Sequence, residues 1–439
     1  MRDERRVMVH VPLAGDIAAT SAALLFSEHP QVKIPEAHRE SPDLEAQKTQ
    51  GRLDEIIARG EVFSKLLEAA EVASALGGVF LKVNWDEELA RYPLLSIAQA
   101  DQALPEFEFG LLKAVTFWRV LEEEENGKVW RLLERHERGV IENGLYVGRD
   151  GRLGERMPLS ARADTERLAP VVLTGVDGLA CRYIPNMRPN RLWRGSALGQ
   201  SDYAGSEGLM DSLDEVFTSL LRDVRLGVGR ILAPEEFFQS DGQGTVAFDL
   251  DREAYVGLHV PLAADSAKGQ ITVSQFEIRT DQHLRASTEL VGQIITNAGY
   301  SPQSFGLQIE GRAESGTALN IRERKSFSTS AKKGEYWRNA LADIFEIMLT
   351  IDMKHLRSGV IPFRPVVEIQ DSVRPDIAQT AQTVEMLNRA QAASVQTKVT
   401  LLHPDWSKEQ VEAEVGRIVE ESGEGTQKVA LGDTSSSNN

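Results

Sequence analysis

The chain has few cysteines and no excess of positive charge, and both features exclude or disfavour common classes of protein. Its 439 residues include a single cysteine, Cys181, so the sequence excludes an intrachain disulfide and a zinc site built from cysteines. Lys and Arg, 49 in all, are outnumbered by 66 Asp and Glu, which gives a formal charge of −17. This balance argues against a protein that wraps tightly around nucleic acid through phosphate neutralisation, but it allows one past which nucleic acid slides.

Long apolar runs are also missing, and we expect no secretory leader. The longest nearly apolar run, Ile17 to Phe26, has about half of the ~20 residues needed to span a bilayer. The first residues, MRDERR, are charged and lack the apolar region of a secretory signal. With 41% apolar and 26% charged residues the chain has the composition of a packed globular protein. We therefore predict a soluble, cytosolic protein with no membrane partner.

The sequence offers no catalytic constellation. It contains no phosphate-binding G-x-x-x-x-G-K-[ST] loop, no H-E-x-x-H and no G-x-S-x-G motif. Its eight histidines are scattered singly, and none lies three or four residues from another. Acidic pairs such as Glu106 and Glu108, or Glu368 and Asp371, arise by chance in so acidic a chain, and the run from Glu122 to Glu125 fits a solvated turn. We predict no enzyme, no cofactor and no metal site.

The first half of the chain shows both helical and strand patterns. A helix is predicted from Asp16 to Phe26. A longer helical region is predicted from about Asp43 to Leu76, followed by a strand from Val79 to Trp85. Between residues 112 and 151 the pattern predicts a β-meander, with strands at 117–123, 128–134 and 139–147. Its turn signals are Asn126-Gly127, Asn143-Gly144 and Asp150-Gly151, since these residue pairs accept positive φ.

The second half is dominated by helices. Amphipathic helices from Gly208 to Leu226 and from Asp281 to Ala298, with Asp281 as a possible N-cap, bracket a β-rich insertion of roughly 50 residues. Its strand candidates are 245–248, 255–260 and 270–276. A loop from Phe305 to Gly316 leads into a long helical segment, Thr317 to Leu356, with an apolar second half. Two further helices follow, and the tail beyond about Gly423 has the composition of a disordered segment.

Four segments, in this order, resemble the portal proteins of tailed bacteriophages. They are HVPLAGDIAATSAALLFSEHP, IPNMRPNRLWRGSALGQSDYAGSEGLMDSLDEVF, ESGTALNIRERKSFSTSAKKGEYWRNAL and AQTAQTVEMLNRAQAASVQTKVTLLHPDWSKEQVEAEVGRIVEE. Within the second, Asn186, Asn190 and the triplet Ser201-Asp202-Tyr203 match the family's loop before its first stem helix. The chain starts where relatives already have several dozen residues, so part of the outer wing is expected to be shorter here.

The resemblance implies an α+β fold of the portal type, with an α/β wing, a two-helix stem, a small β-rich clip, a long spanning helix and a helical C-terminal crown. The implied parts are the wing (1–205, with the β-meander 112–151), first stem helix (206–229), clip (230–280), second stem helix (281–300), tunnel loop (301–316), long wing helix with its return strand (317–370), crown (371–423) and disordered tail (424–439).

The resemblance also implies a function. Portal proteins form a ring of about twelve subunits at one capsid vertex of the virion, through which double-stranded DNA is packaged and ejected. The implied partners are other copies of the chain, the DNA, the terminase large subunit, the head–tail adaptor and the major capsid protein. Assembly would take place in the host cytoplasm.

One basic segment suits a DNA conduit. The segment from Arg312 to Arg338 contains seven basic and three acidic residues. Its net charge is therefore +4, in a chain whose net charge is −17. In a ring each of these basic residues becomes a circle of charges that holds phosphates loosely, while the acidic remainder prevents adhesion. The candidates for DNA contact are Arg312, Arg322, Arg324, Lys325, Lys332 and Lys333, with Arg312 in the loop as the first choice.

Two alternatives stay open on the sequence alone. One is a metal-dependent nuclease that uses scattered carboxylates, which the missing motifs disfavour. The other is a phage structural protein that forms no ring, because ring closure is not written in the sequence of a single subunit. A solvated helix face remains the ordinary interpretation for any single basic residue, and helix packing is the ordinary role for Trp337 and Phe345.

Overall fold

The computed structural model describes residues 8–35, 44–227, 230–234, 255–258, 272–274, 278–307, 316–369, 377–403, 406 and 410–421, with the backbone alone at 230–234, 255–258, 272–274, 316–322 and 377–379. The chain divides into two compact units, Met1–Glu314 with Ala318–Gln370, and Ser315–Thr317 with Asp371–Asn439. The described elements mix helix and sheet, as the sequence predicts.

The helices of the first unit are α1 (Leu13–Phe26), α2 (Leu44–Arg59), α3 (Val62–Leu76), α4 (Glu207–Leu226), α5 (Thr280–Asn297) and α6 (Gly316–Lys354). The second unit contains α7 (Ile377–Arg389), α8 (Val395–Leu402) and a helical stretch at 410–421. No described helix is both long and apolar enough to cross a membrane.

The strands are β1 (Gln31–Lys33), β2 (Gly78–Asn84), β3 (Leu94–Gln99), β4 (Ala103–Glu108), β5 (Leu111–Glu123), β6 (Lys128–Glu137), β7 (Val140–Arg149), β8 (Arg152–Met157), β9 (Val171–Leu173), β10 (Cys181–Pro185), β11 (Arg230–Pro234), β12 (Tyr255–Leu258), β13 (Thr272–Ser274) and β14 (Val366–Glu368). They form four sheets, ordered β1-β14, β10-β2-β3, β12-β11-β13 and β4-β5-β6-β7-β8, the last with β9 on β7.

The predicted meander is confirmed, but one of its three predicted turn positions is wrong. Its hairpins turn at Asn126-Gly127 and Asp150-Gly151, where the glycines have φ of 77° and 69°. Asn143-Gly144 lies instead inside β7, paired with Glu134 and Leu133 of β6. The Asn143 side chain donates to the Ala169 carbonyl at 2.8 Å, so its amide is satisfied within the sheet rather than at a turn.

Strand β2 is covered on both faces, which explains its continuous apolar run. Val79, Leu81 and Val83 belong to the main core formed with α1, α3 and α6, whereas Phe80 faces a second cluster that includes Phe117. All four β2 residues have 0% exposure. This strand therefore connects the helical layer to the meander.

The helical region predicted from about Asp43 to Leu76 is confirmed, and the chain breaks within it into α2 and α3. Glu61 adopts the left-handed conformation with φ of 51°. A Cβ at Gly60 would lie 2.8 Å from the Ile56 carbonyl oxygen, so the tight turn requires glycine at that position. The break lets both helices lay apolar faces on the same core.

The long helix and its apolar second half are confirmed by α6, which begins one residue before and ends two residues before the predicted bounds. Trp337, Leu341, Phe345 and Met348 are each at most 1% exposed. Trp337 and Phe345 thus pack in the core, as expected. Near the end of α6, the buried carboxylate of Asp352 accepts two hydrogen bonds, of 2.9 and 2.8 Å, from the Arg52 guanidinium of α2.

Helices α4 and α5 run in opposite directions and pack through Leu213, Ile294 and Ile295. At the far end of the pair, Asp223 of α4 accepts hydrogen bonds from Arg279 and pairs with His283. The predicted N-cap is wrong, because α5 already includes Thr280 and its N-cap position is held by Arg279.

The segment between α4 and α5 contains a small sheet, in which β11 pairs with β12 in parallel and with β13 in antiparallel fashion. Strands at 255–258 and 272–274 agree with two of the predicted strands, and 230–234 was not predicted. The predicted strand at 245–248 and the predicted tail beyond Gly423 lie outside the described residues.

A buried charge cluster holds β6 of the meander against β2. Glu134 pairs through one carboxylate oxygen with His136 Nε2 at 2.5 Å and with Lys82 Nζ at 2.9 Å, and His136 is fully buried. Burial raises the pKa of the Glu134 carboxyl, but the hydrogen bond from His136 and the charge of Lys82 outweigh it and lower that pKa to about 2.

We predict a pH-dependent loss of stability for Glu134→Gln. A carboxyl whose pKa is lowered on folding stabilises the protein fully above its unfolded-state pKa and loses this effect as the pH falls through its folded-state pKa. The variant should lose about 3 kcal/mol at pH 7, and its difference from the wild type should shrink between pH 4.5 and pH 2.

Denaturation midpoints at pH 7 and at about pH 3 test this prediction. The control is Glu142→Gln on the exposed side of β7, which should change stability little at either pH. An equal loss for Glu134→Gln at both pH values would contradict the assignment.

Candidate functional site

A buried polar node joins several segments of the first unit around Asp202. Its Oδ2 accepts hydrogen bonds from Lys333 Nζ at 2.5 Å, Ser74 Oγ at 2.6 Å and Tyr300 OH at 2.9 Å. Its Oδ1 accepts one from Asn186 Nδ2 at 2.8 Å. The carboxylate thus connects α3, α6, the segment after α5 and the loop between β10 and α4.

Lys333 completes this node from the opposite side. Its ammonium group donates to Asp202, to Ser21 Oγ of α1 at 2.7 Å and to Tyr300 OH at 2.8 Å, so all three protons are used. Lys333 is 1% exposed. Burial lowers the pKa of Lys333, while the adjacent Asp202 opposes that shift. Burial and the Asp202 charge raise the pKa of Tyr300 well above its usual value.

Local backbone geometry brings the node together. Gly77 ends α3 with φ of 81°, and a Cβ there would lie 2.9 Å from the Gly199 carbonyl oxygen. This close approach lets the Asp202 amide bond the Ser74 carbonyl at 3.0 Å. Gly299, with φ of 95°, turns the chain after α5 and directs Tyr300 inward.

The expectation that Lys333 contacts DNA from a channel surface is wrong. Its ammonium group lies inside the subunit, paired with Asp202, and is not available to a phosphate. The preceding residue, Lys332, is exposed. The sequence shows only a Lys-Lys pair, and the helical rotation of about 100° per residue sends one ammonium group inward and the other outward.

A basic cleft of about 730 Å³ lies next to the node. It is lined by the end of α5, the exposed face of α6 and the loop that follows β10. Five cationic side chains line it: Arg188, Arg191, Arg324, Lys325 and Lys332. Within the described residues none of the five forms an ion pair, and the Asp202 carboxylate in the wall is already neutralised by Lys333.

The cleft gathers three of the residues that the sequence proposes for DNA contact. Arg324, Lys325 and Lys332 line it from α6, and Lys325 Nζ also donates to the Thr296 carbonyl at 2.5 Å. Arg322 belongs to the part of α6 described by its backbone alone, and Arg312 lies outside the described residues.

Sequence reasoning missed two members of the cleft, Arg188 and Arg191. They lie in the loop between β10 and α4, more than 120 positions before α6, so the local charge count did not include them. Arg188 is held by a hydrogen bond from its guanidinium to the Ala197 carbonyl, and it lies 5.9 Å from the centroid of the Tyr183 ring. The signal available in the sequence was the repeated arginine in RPNRLWR.

The chemistry open to this cleft is the binding of anions. Guanidinium and ammonium groups donate charge-assisted hydrogen bonds to phosphates and carboxylates. The cleft is exposed to solvent, and its one carboxylate is engaged with a buried cation. In the part of the chain that the structure describes, no group of three or more His, Cys, Asp or Glu side chains converges as a metal site requires.

We predict that Lys333→Met destabilises the subunit by roughly 3–5 kcal/mol, because it leaves the carboxylate of Asp202 buried without its cation. The matched control is Lys332→Met, which removes the same charge from the neighbouring exposed position and should change stability by no more than about 0.5 kcal/mol. Chemical denaturation of both variants measures the difference. Equal stability of the two would contradict the assigned role of the node.

Comparison with known proteins gives one match over most of the chain. The family model described as "Phage portal protein, SPP1 Gp6-like" matches residues 2–428. No curated protein matches the chain.

Two solved structures match most of the chain at low identity. One is described as "Virion of native gene transfer agent (GTA) particle", with 11% identity, a TM-score of 0.42 and coverage of 90% of this chain and 91% of that chain. The other, "Neck of empty GTA particle computed with C6 symmetry", has 12% identity, a TM-score of 0.43 and the same coverage of both chains.

The family match runs through the helices α1 to α8, the node and the cleft, and it agrees with the resemblance carried by the four sequence segments. The chain therefore belongs to the phage portal protein family of the SPP1 Gp6-like type, a family of structural components of the virion.

Proposed function

We propose that the chain is the subunit of a ring at one capsid vertex, through which double-stranded DNA is packaged and later ejected. The observation that carries this proposal is the order of elements within the family match: helix α4, a small sheet, helix α5, a connecting segment and the 39-residue helix α6. A portal subunit uses that order to place a channel wall, an external projection and a wing in one chain.

The proposed parts keep the bounds given by the sequence. They are the wing (1–205), first stem helix (206–229), clip (230–280), second stem helix (281–300), tunnel loop (301–316), long wing helix and return strand (317–370), crown (371–423) and tail (424–439). Helix α4 falls inside the first stem segment, and α5 begins one residue before the second stem segment and otherwise falls inside it. Strands β11, β12 and β13 fall inside the clip segment.

Exposed apolar side chains on α4 and α5 support assembly of the subunits. Leu221 and Val224 of α4 are 40% and 47% exposed, and Leu284 of α5 is 49% exposed. Apolar rows on a helix pair that leaves them open to water favour burial against neighbours. A contact between two different faces of the chain repeats from copy to copy and closes a ring when its rotation permits, here at about twelve subunits.

The DNA contacts are proposed at the start of the basic segment. Arg312 of the tunnel loop and Arg322 near the start of α6 are the first candidates. In a ring, each of these arginines would repeat around the channel once per subunit. Because affinity rises steeply with the number of phosphate contacts, a few such positions in a chain with a net charge of −17 would guide the duplex without binding it tightly. Arg324, Lys325 and Lys332 share the basic cleft, and their role is taken up in the next subsection.

The proposed partners follow from the same role. The clip would bind the terminase large subunit during packaging and the head–tail adaptor afterwards, and the wing would contact the major capsid protein. The ring would assemble in the host cytoplasm and remain in the virion. The energy for DNA movement would come from the terminase, so we propose no catalytic activity for this chain.

The contacts of the carboxylates weaken the nuclease alternative. Glu106 pairs with Arg135 at 2.6 Å, and Glu108 pairs with Lys113 at 2.8 Å, on a strand at the edge of the meander. Each carboxylate is thus paired with a different cation of the same sheet. Asp371, proposed with Glu368 as a second pair, lies outside the described residues.

Assembly of capsids with and without the chain tests the proposal. Heads that include it should protect packaged DNA from nuclease when the terminase and ATP are supplied, whereas heads assembled without it should protect none. Equal protection in both preparations would contradict the conduit role.

We predict that Arg312→Ala leaves assembly of the subunits intact but lowers the amount of retained DNA several-fold, because it removes one positive charge per subunit from the channel. The matched control is Arg338→Ala, whose side chain pairs with Glu335 at 2.6 Å on the surface of α6. Nuclease-protected DNA per particle is the measurement. Unchanged retention in Arg312→Ala would remove Arg312 from the DNA contacts.

A further inference from the structure

The α6 wall of the basic cleft carries its charge in a regular row. Arg324, Ser328 and Lys332 line the cleft at successive intervals of four residues, and all three are exposed. This interval advances about 6 Å along a helix, so the two charges lie about 12 Å apart. Arg188 and Arg191 face the row from the loop wall.

An acidic row with the same interval lies on α4. Glu207, Asp211 and Glu215 are exposed, and in the described part of the chain none of them forms an ion pair. Leu213 of α4 is buried against α5 and lies on the face of the helix opposite Asp211. The acidic row therefore points away from the body of its own subunit.

The two rows complement each other in charge, spacing and size. Three carboxylates repeat about every 6 Å on α4. The α6 wall of the cleft offers two cations about 12 Å apart with Ser328 between them, and two guanidinium groups lie opposite. A helix with its side chains is about 10–12 Å wide, and an exposed face of one fits a cleft of about 730 Å³. Gly208 and Ser212, both exposed beside the row, leave room for close approach.

The occupant of the cleft must come from another molecule. Because the side of α4 opposite the acidic row is buried in its own subunit, the row cannot turn into the cleft of the same chain. A contact between the α4 face of one copy and the cleft of the next joins two different surfaces, which is the heterologous type that generates rings.

We propose that the basic cleft binds the acidic row of α4 from a second copy of this chain, and that this contact is the electrostatic part of the interface between ring neighbours. The proposal rests on the proposed ring function and names the partner of the cleft within it. The carboxylates of Glu207, Asp211 and Glu215 accept hydrogen bonds from the guanidinium and ammonium groups of the neighbour's cleft.

The shape of the cleft favours a helix over DNA. A duplex presents one charge per about 1.7 Å along a continuous convex surface and gains most from an extended basic track. The five cations here surround a concave space, and one wall includes the backbone turn at Gly299. Acidic side chains on a helix reach into such a space individually.

Charge reversal on each side, followed by mixing, tests the contact in the full-length protein. The first variant is E207K/D211K/E215K and the second is R191E/R324E/K332E, which leaves two cations against three new carboxylates in the cleft. The control is R222E/R225E, which reverses two exposed charges farther along α4. Ring formation is followed by analytical ultracentrifugation and electron microscopy, and circular dichroism compares the folding of all chains.

Each reversed variant alone should assemble poorly, with the subunit concentration for half-assembly raised at least about tenfold. An equimolar mixture of the two should regain rings, because every acidic cleft then meets a basic α4 and every basic cleft an acidic one. The control should assemble like the wild type. The wild-type midpoint should also rise with salt, since added ions screen the contact.

Rings formed by both variants alone would overturn the proposal, and so would a mixture that fails to assemble. If R191E/R324E/K332E formed normal rings that lost only DNA retention, the cleft would be a DNA site and the proposal would fail. The absence of rings from the wild-type chain would instead contradict the proposed function itself, so the two failures are distinguishable.

Discussion

The buried pairing of Asp202 with Lys333 is the interaction on which the arrangement of the first unit depends. One carboxylate receives hydrogen bonds from α3, α6, the segment after α5 and the loop after β10, and Lys333 adds α1. A buried charge is tolerated only when its partner and its hydrogen bonds are all present. The node therefore fixes the position of α6 at Lys333 relative to the loop before α4 and the segment after α5, and with it the position of the adjacent basic cleft.

Two neighbouring lysines have different roles, because only one of them belongs to the node. Lys333 is buried and pairs with Asp202 inside the subunit, whereas Lys332, one position earlier, lines the cleft. In the proposed ring, the cleft binds the next subunit and the loop charge at Arg312 meets the DNA. An acidic chain suits both tasks, since its surplus carboxylates supply the partner for the cleft and keep the duplex from adhering to the wall.

Local patterns predicted most elements, but not how distant segments meet. The meander followed from Asn126-Gly127 and Asp150-Gly151, and α6 from its apolar spacing. Asn143-Gly144 failed because tertiary hydrogen bonds to Ala169 and Pro170 overrode its turn preference. The node and the cleft join residues over 100 positions apart, so charge counting within one segment assigned Lys333 wrongly and omitted Arg188 and Arg191.

The central claim is that copies of this chain close into a ring around a channel. Electron microscopy of the purified full-length protein, with rotational analysis of end-on views, tests it most directly. The account predicts closed rings of about twelve subunits with a central hole. A homogeneous monomer or dimer, stable across protein concentration and salt, or an open helical filament would contradict it.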